Sequence, residues 1–252
     1  MSEQWTIPHQ LIEALRNAQH VTVLTGAGIS AESGLPTFRD PMTGLWAQYR
    51  PEELDTPQAF QRNPRLVWKW FDWRRQIVAE AEPNPAHYAL VDMEQRVPQF
   101  TLLTQNIDSL HQKAGSSQVI ELHGNLSRTK CNEDGMIVDT WEDTDDPPPR
   151  CPRCDGLLRP DVVWFGERLT DAAFDAATHA ARNCDLFLSI GTSGTVEPAA
   201  HLPYRALDGG AVVVVTNLDV PNRDTHPLYM INAPAGQLLP ALVRSAWPDS
   251  IS

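Results

Sequence analysis

Apolar residues fall along this chain in two patterns. VTVLT at 21–25, FTLLT at 100–104, QVIEL at 118–122, DLFLSI at 185–190 and AVVVV at 211–215 are unbroken β-rich runs, with a weaker one at LYMI, 228–231. Unbroken runs predict strands covered on both faces, as in a parallel sheet flanked by helices. Thr6 and Pro8 can start a helix in which Leu11, Ile12 and Leu15 share one face. The predicted frame is an α/β doubly wound sheet of Rossmann type, which binds ligands at the C-terminal ends of its strands.

Two segments break that frame. Residues 41 to about 85 carry a helical stripe of Leu66, Val67, Trp70, Phe71, Ile77 and Val78 and hold four of the eight tryptophans, which predicts a helical insertion. Residues 125–162 combine a CxxC, an acidic run and Pro147 to Pro149 with too few apolar residues for a core, so this second insertion needs a staple such as a metal. The expected organisation is one domain over 1–252. Its sheet core comes from 6–40, 86–124 and 163–245, and the insertions at 41–85 and 125–162 form a smaller module.

Composition narrows the partners. With 42% hydrophobic residues, 252 residues suffice for a substantial core. A formal net charge of -12 argues against a general nucleic-acid binder. Nine acids against three arginines at 131–161 read as a solvated surface or as attraction for lysine-rich substrates. No run is long enough to cross a bilayer and the first residues lack a signal-peptide pattern, so the expectation is a soluble cytoplasmic protein without a membrane partner. Four cysteines in that setting favour thiols or metal ligands over disulfides.

GAGISA, Gly26 to Ala31, follows a predicted strand and matches GxGxxG/A, so its backbone N–H groups could approach a pyrophosphate; the bare alternative is a tight turn. The acidic residue expected about 20 positions on is missing, which argues against an ordinary nucleotide-dependent dehydrogenase. Arg39 could pair with phosphate. Other predicted strands end in Gln105, Asn106, Asp108 and His111; in His123 and Gly124; in Gly191, Thr192 and Ser193; and in Asn217. In a parallel sheet these polar groups line one cleft, and His123 is its candidate general base.

GAGISAESGLPTFRD, TQNIDSLH, ELHGNL, CPRCDGLLRPDVVWFGE and GTSGTVEPAA, in this order, resemble the sirtuin (Sir2) family of NAD-dependent protein lysine deacylases, bacterial type, over residues 10 to about 240. The resemblance implies that Gly26, Ala27, Gly28, Thr37, Phe38 and Arg39 line the phosphate and nicotinamide-ribose side of an NAD site. Gln105, Asn106, Ile107 and Asp108 would hold ribose and carboxamide, and Gly191, Thr192, Ser193 and Asn217 would hold phosphates and adenosine ribose. His123 would act as base, with Asn106 and Asp108 as catalytic partners. The acyl-lysine oxygen attacks C1′ and expels nicotinamide. A ribose hydroxyl deprotonated with the help of His123 then attacks the alkylimidate, leaving lysine and 2′-O-acyl-ADP-ribose. Substrate backbone would pair with Val163, Trp164, Phe165, Gly166 and Glu167 and with the loop containing Val196.

In desuccinylating sirtuins a Tyr-x-x-Arg binds the acidic acyl group. Here the positions read Phe71, Asp72, Trp73 and Arg74, so Arg74 could still pair a succinyl carboxylate without the tyrosine hydroxyl, or Phe71 is simply core and Arg74 surface; deacetylation is put first and desuccinylation second. The same cleft could instead pass ADP-ribose to a protein or to water, or serve a non-catalytic NAD or ADP-ribose sensor. The family's two CxxC pairs appear as Cys131-x-x-Asp134 and Cys151-x-x-Cys154, with 16 residues between Asp134 and Cys151. The two readings are a structural zinc held by Cys131, Asp134, Cys151 and Cys154, or a module that packs without metal. Cys184 reads as a buried core thiol. The sequence does not indicate an oligomeric state.

Overall fold

The computed structural model describes residues 5–37, 49–142 and 144–248. Phe38, Arg39 and the start of the expected helical insertion lie outside the described residues. The chain runs α1 (His9–Asn17), β1 (His20–Thr25), α2 (Ala27–Ala31), α3 (Pro51–Leu54), α4 (Pro57–Arg62), α5 (Pro64–Glu80), α6 (Pro85–Arg96), β2 (Gln99–Thr104), α7 (Leu110–Ala114) and β3 (Val119–Glu121). It continues through β4 (Gly124–Cys131), β5 (Leu158–Val162), α8 (Asp171–Asn183), β6 (Leu186–Ile190), α9 (Leu202–Asp208), β7 (Val212–Asn217), β8 (Arg223–Thr225), β9 (Leu228–Asn232) and α10 (Ala235–Ala246).

Seven of these strands form one sheet in the order β3-β2-β1-β6-β7-β9-β8. Neighbours are parallel except β8, an antiparallel edge strand on β9 that apolar patterning did not predict because Arg223, Asp224 and Thr225 are all exposed. The unbroken apolar runs have the cause inferred for them. Alternate residues of β6 go to opposite cores: Leu186, Leu188 and Ile190 pack with Leu11, Leu90, Met93 and Leu242 of α1, α6 and α10, whereas Phe187 packs with Ala177, Leu202 and Ala206 of α8 and α9. Both faces are covered, so a polar residue at either parity would be buried.

Successive strands go outward from β1 to β2 and β3 on one side and, later in the chain, from β6 to β7 and β9 on the other. The winding therefore reverses between β1 and β6, the position at which open α/β sheets leave a ligand crevice at the carboxyl ends of the strands.

A separate antiparallel pair, β4 with β5, packs on α4 and α5. Phe60, Val67, Trp70 and Phe71 of those helices share a core with Leu126, Val162 and Trp164, and Trp68 extends it to Cys131, Val138, Cys151 and Leu158. Each segment thus supplies apolar surface that the other lacks. α5 begins where Asn63 accepts a hydrogen bond from Leu66 N–H ahead of Pro64, which needs no backbone donor at the first helical position. Among the described residues, no helix is long and apolar enough to cross a membrane.

Candidate active site

The loops that leave β1 and β6 touch backbone to backbone. Gly26 N–H donates to Ile190 O at 3.0 Å and Gly28 N–H to Gly191 O at 2.9 Å. A Cβ on Gly28 would stand 2.7 Å from Gly191 Cα, and Gly191 itself has φ +63 with Ile29 N 2.5 Å from where its Cβ would be. The approach leaves no room for a side chain between the loops, so the motif glycines are a packing requirement and more than a turn preference. On the far side of β6, Asn217 Nδ2 donates to Thr192 O at 2.8 Å, joining the ends of β6 and β7.

The end of β2 is held by a directional chain of hydrogen bonds. Asn106 Nδ2 donates to Gly26 O and to Ser30 Oγ, both at 3.1 Å, and the Ser30 hydroxyl donates to Asp108 Oδ2 at 2.7 Å. Leu110 N–H donates to the other Asp108 oxygen at 2.9 Å. Burial pushes the Asp108 carboxyl up, and the bonds from Leu110 and Ser30 oppose it. Ser30 is the group that sequence reasoning missed; it lies inside GAGIS, but only the fold reveals that it links Asn106 to Asp108.

His123 follows β3. Its Nδ1 lies 2.9 Å from Gln105 O. A carbonyl only accepts, so Nδ1 carries the proton and Nε2 keeps its lone pair in the neutral ring. Burial holds the imidazole below its ordinary value, partly offset by the Gln105 carbonyl, and the neutral base form is favoured. His123 O accepts from Val163 N–H at 2.9 Å, which ties His123 to the segment 163–167. Gly124, with φ +78, brings β4 so close that its Cβ would meet Asp161 O at 2.1 Å. His111, grouped with the cleft residues by sequence, is instead buried: its Nε2 lies 2.8 Å from Thr25 Oγ1 and its ring is beside His87. The short helix α7 turns it toward the core.

The segment after β5 is anchored from below. Trp164 is buried against Phe60 and Phe71, and the Arg159 guanidinium lies 3.2 Å from the centre of a Trp164 ring. Glu167 accepts from Nη1 and Nη2 of Arg159 at 2.7 and 2.8 Å and from the backbone N–H of Trp164 at 2.8 Å. Phe165 stays 41% exposed, facing outward between these anchors, and Gly166 has φ +88. Val196 is half-buried on the loop beyond β6. Phe71 is in the core, as the plainer reading had it, but Arg74 is no free surface residue: its Nη1 pairs with Asp55 Oδ2 at 2.9 Å.

Cys131, Cys151 and Cys154 converge, with all three sulfurs within 4.8 Å of one another and Cys131 Sγ 3.5 Å from Cys154 Sγ. Thiolates about 2.3 Å from a tetrahedral zinc lie roughly 3.8 Å apart, so the three sulfurs fit one face of such a site. Asp134 does not join this group of three. Its carboxylate accepts from Met136 N–H at 2.9 Å and pairs with Arg153 at 3.3 Å. Cys184 is buried elsewhere, donating to Ala181 O.

A doubly wound sheet whose reversal crevice carries an amide–hydroxyl–carboxylate chain and a neutral imidazole defines a nucleotide-type α/β site. The Sir2 family model matches residues 26–198, and the chain belongs to that family. It is 48% identical over 247 residues to NAD-dependent protein deacylase 1 of Pseudomonas aeruginosa, covering 94% of this chain and 98% of that one. It is 45% identical over 252 residues to the NAD-dependent protein deacylase of Methylococcus capsulatus, covering 94% and 96%. Among solved structures, a Sir2 homologue–NAD complex superposes with a TM-score of 0.86 at 40% identity, covering 96% of this chain and 94% of that one. A Sir2–p53 peptide–NAD+ complex gives 0.81 at 31%, covering 95% and 98%.

Proposed function

We propose that this protein is an NAD-dependent protein lysine deacylase that consumes NAD and an acyl-lysine side chain and releases nicotinamide, lysine and 2′-O-acyl-ADP-ribose. The observation that carries the reading is the His123 tautomer. An imidazole with Nδ1–H committed to Gln105 O presents Nε2 as a base at the strand ends where Asn106, Ser30 and Asp108 are held by hydrogen bonds. The loops of β1 and β6 suit a dinucleotide, because their glycine contact keeps side chains out of the crevice between them. Gly26, Ala27, Gly28 and Thr37 are assigned to the phosphate and nicotinamide-ribose side, and Gly191, Thr192, Ser193 and Asn217 to the phosphate and adenosine-ribose side. Gln105, Asn106, Ile107 and Asp108 are assigned to ribose and carboxamide.

An amide oxygen is a weak nucleophile, so the rate depends on holding it in line with C1′ of the ribose. The Asn106-Ser30-Asp108 chain of hydrogen bonds orients the amide of Asn106 without help from the reactants. His123 Nε2 takes the proton of a ribose hydroxyl, and Gln105 O stabilises the imidazolium that forms. The acylated peptide pairs its backbone with residues 163–167, whose position relative to His123 is fixed by the Val163–His123 hydrogen bond. Backbone pairing of this kind tolerates many sequences. The expected substrates are therefore diverse lysine-acylated proteins, and we assign the enzyme, none of whose four cysteines is paired in a disulfide, to the cytoplasm.

Product analysis tests the assignment. Incubated with NAD and an acetyl-lysine peptide, the protein should yield 2′-O-acetyl-ADP-ribose and free lysine in equal amounts by mass spectrometry. ADP-ribosylated peptide, or free ADP-ribose formed without the peptide, would point to transfer or hydrolysis instead.

Cys131, Cys151 and Cys154 would hold a structural zinc, with the fourth position open to Asp134, whose carboxylate already interacts with the Cys131 side chain, or to another oxygen donor. Zinc would cross-link two turns of a module poor in apolar residues. Metal analysis of purified protein should find about one zinc per chain, and Cys151→Ser should lower both the zinc content and the melting temperature. Zinc near zero in wild-type protein would mean that the module packs without it.

A further inference from the structure

His123 is one of the two residues between β3 and β4, and a buried asparagine closes the turn that carries it. Asn125 is 4% exposed, and the side chain of Glu121, the last residue of β3, is 13% exposed. Across the turn, Asn125 Nδ2 donates to Glu121 Oε1 at 2.5 Å. Asn125 Oδ1 accepts from Ser127 N–H at 2.9 Å, from Ser127 Oγ at 2.7 Å and from Ser109 Oγ at 3.0 Å. A carboxylate only accepts and a backbone N–H only donates, so a single orientation of the amide satisfies both. Ser109 follows Asp108 directly, and the amide therefore joins the turn to the loop that holds the Asn106-Ser30-Asp108 chain. Glu121 gathers two further donors, Gln112 Nε2 of α7 on Oε1 at 2.8 Å and Arg128 Nη2 on Oε2 at 2.6 Å. Arg128 Nε in turn reaches Asp161 Oδ2 of β5 at 2.9 Å.

We propose that Asn125 and Glu121 are positioning residues for the base: their clasp fixes where the His123 imidazole stands relative to the ribose assigned to the Asn106–Asp108 loop. The inference rests on the deacylase reading above. The Gln105 carbonyl fixes the rotation of the ring but not the place of the backbone that carries it. That backbone leaves β3, a strand of three residues at the edge of the sheet with β2 as its one neighbour there. The hydrogen bond across the turn supplies a constraint that a second neighbouring strand would otherwise give. A displacement of about 1 Å at a reacting group can cost on the order of a hundredfold in rate. A loosened turn would therefore slow proton transfer to His123 and spare the earlier departure of nicotinamide, in which the imidazole takes no part.

Two rates, measured at saturating NAD and acetyl-lysine peptide, separate these steps. Exchange of labelled nicotinamide into NAD reads the first step and its reversal, and release of deacylated peptide requires the base. Asn125→Leu, of similar size and without the amide, should lower deacylation at least tenfold and leave exchange within threefold of wild type or above it. Asn125→Asp combined with Glu121→Gln reverses donor and acceptor across the turn and should keep deacylation within threefold of wild type. Should Asn125→Leu prove insoluble, Asn125→Ser, whose hydroxyl is too short to span the turn, carries the same comparison. An equal fall in both rates would show a general loss of structure, and unchanged deacylation would show that the clasp is idle; either overturns the proposal, as does a reversed pair no faster than Asn125→Leu. Failure of every acyl peptide to release nicotinamide from wild-type protein would instead overturn the deacylase reading, and the inference with it.

Discussion

Replacing His123 by alanine is expected to lower kcat for deacylation by about 10²–10⁴-fold, the usual contribution of a positioned general base, or roughly 3–5 kcal/mol of barrier. The loss should fall on the steps after nicotinamide departs, because the ring acts on a ribose hydroxyl and not on the acyl oxygen's attack. NAD binding by calorimetry should survive, since the dinucleotide is assigned mainly to the loops of β1, β6 and β7. A pH profile supplies an independent readout. Protonation of Nε2 removes the lone pair, so kcat falls on the acid side. Burial holds the His123 pKa below the ordinary 6.5, so that fall should come below pH 6.5. Rapid-quench measurement of nicotinamide and deacylated peptide checks both points; an alanine variant within threefold of wild type would place the base elsewhere.

The second large effect is on stability. Acidification from pH 7 to pH 5 is expected to reduce the free energy of unfolding by about 2 kcal/mol for each of two buried histidines. Burial pushes His87 down to about 4; burial and the neighbouring His87 push His111 down to about 3. Both groups have folded pKa values below their unfolded value, so between pH 6.5 and those values the unfolded chain binds protons that the folded chain refuses. The stabilisation is therefore complete above the unfolded value and is lost as pH falls toward 4 and 3.

Geometry supports that sign. His87 Nδ1 accepts from Asn84 N–H at 3.2 Å, so protonating it would set two donors against each other. His111 Nε2 faces Thr25 Oγ1, whose hydroxyl donates to Thr104 Oγ1, so Nε2 donates and a further proton would go to Nδ1, which has no hydrogen-bond partner among the described residues. The two rings are 4.9 Å apart, and two cations there would repel. Urea denaturation at pH 7, 6 and 5 measures the loss, and His111→Asn should remove about half of its pH dependence. A flat profile over that range would show that neither ring is held neutral. Asn84 also donates to Ile29 O at 2.7 Å and Ser33 Oγ at 3.0 Å, so acid loosening would disturb α2, which contains Gly28, and the turn after it first.

The doubly covered sheet was legible because unbroken apolar runs have one economical explanation, burial on both faces. The crevice was legible too: residues at the ends of parallel strands share one edge whatever the intervening helices do. The same local reasoning assigned His111 to the cleft, since it lies three residues beyond Asp108, and it overlooked Ser30, whose role depends on Asn106 and Asp108 meeting it from another strand. Asp134 had the spacing of a ligand, but spacing fixes only where the backbone goes, and its carboxylate takes its direction from Met136 N–H, Arg153 and the Cys131 side chain.

By itself the sequence determined the family, the parallel core and the glycines that let two loops touch, all of which depend on residue type and short-range order, and it singled out His123 as the candidate base. Tertiary structure alone decided which histidine nitrogen is basic, that three thiols converge, and that Arg74 meets Asp55. Each of those rests on the direction of a side chain relative to a partner from another element, and direction comes from packing, to which periodicity and spacing are blind.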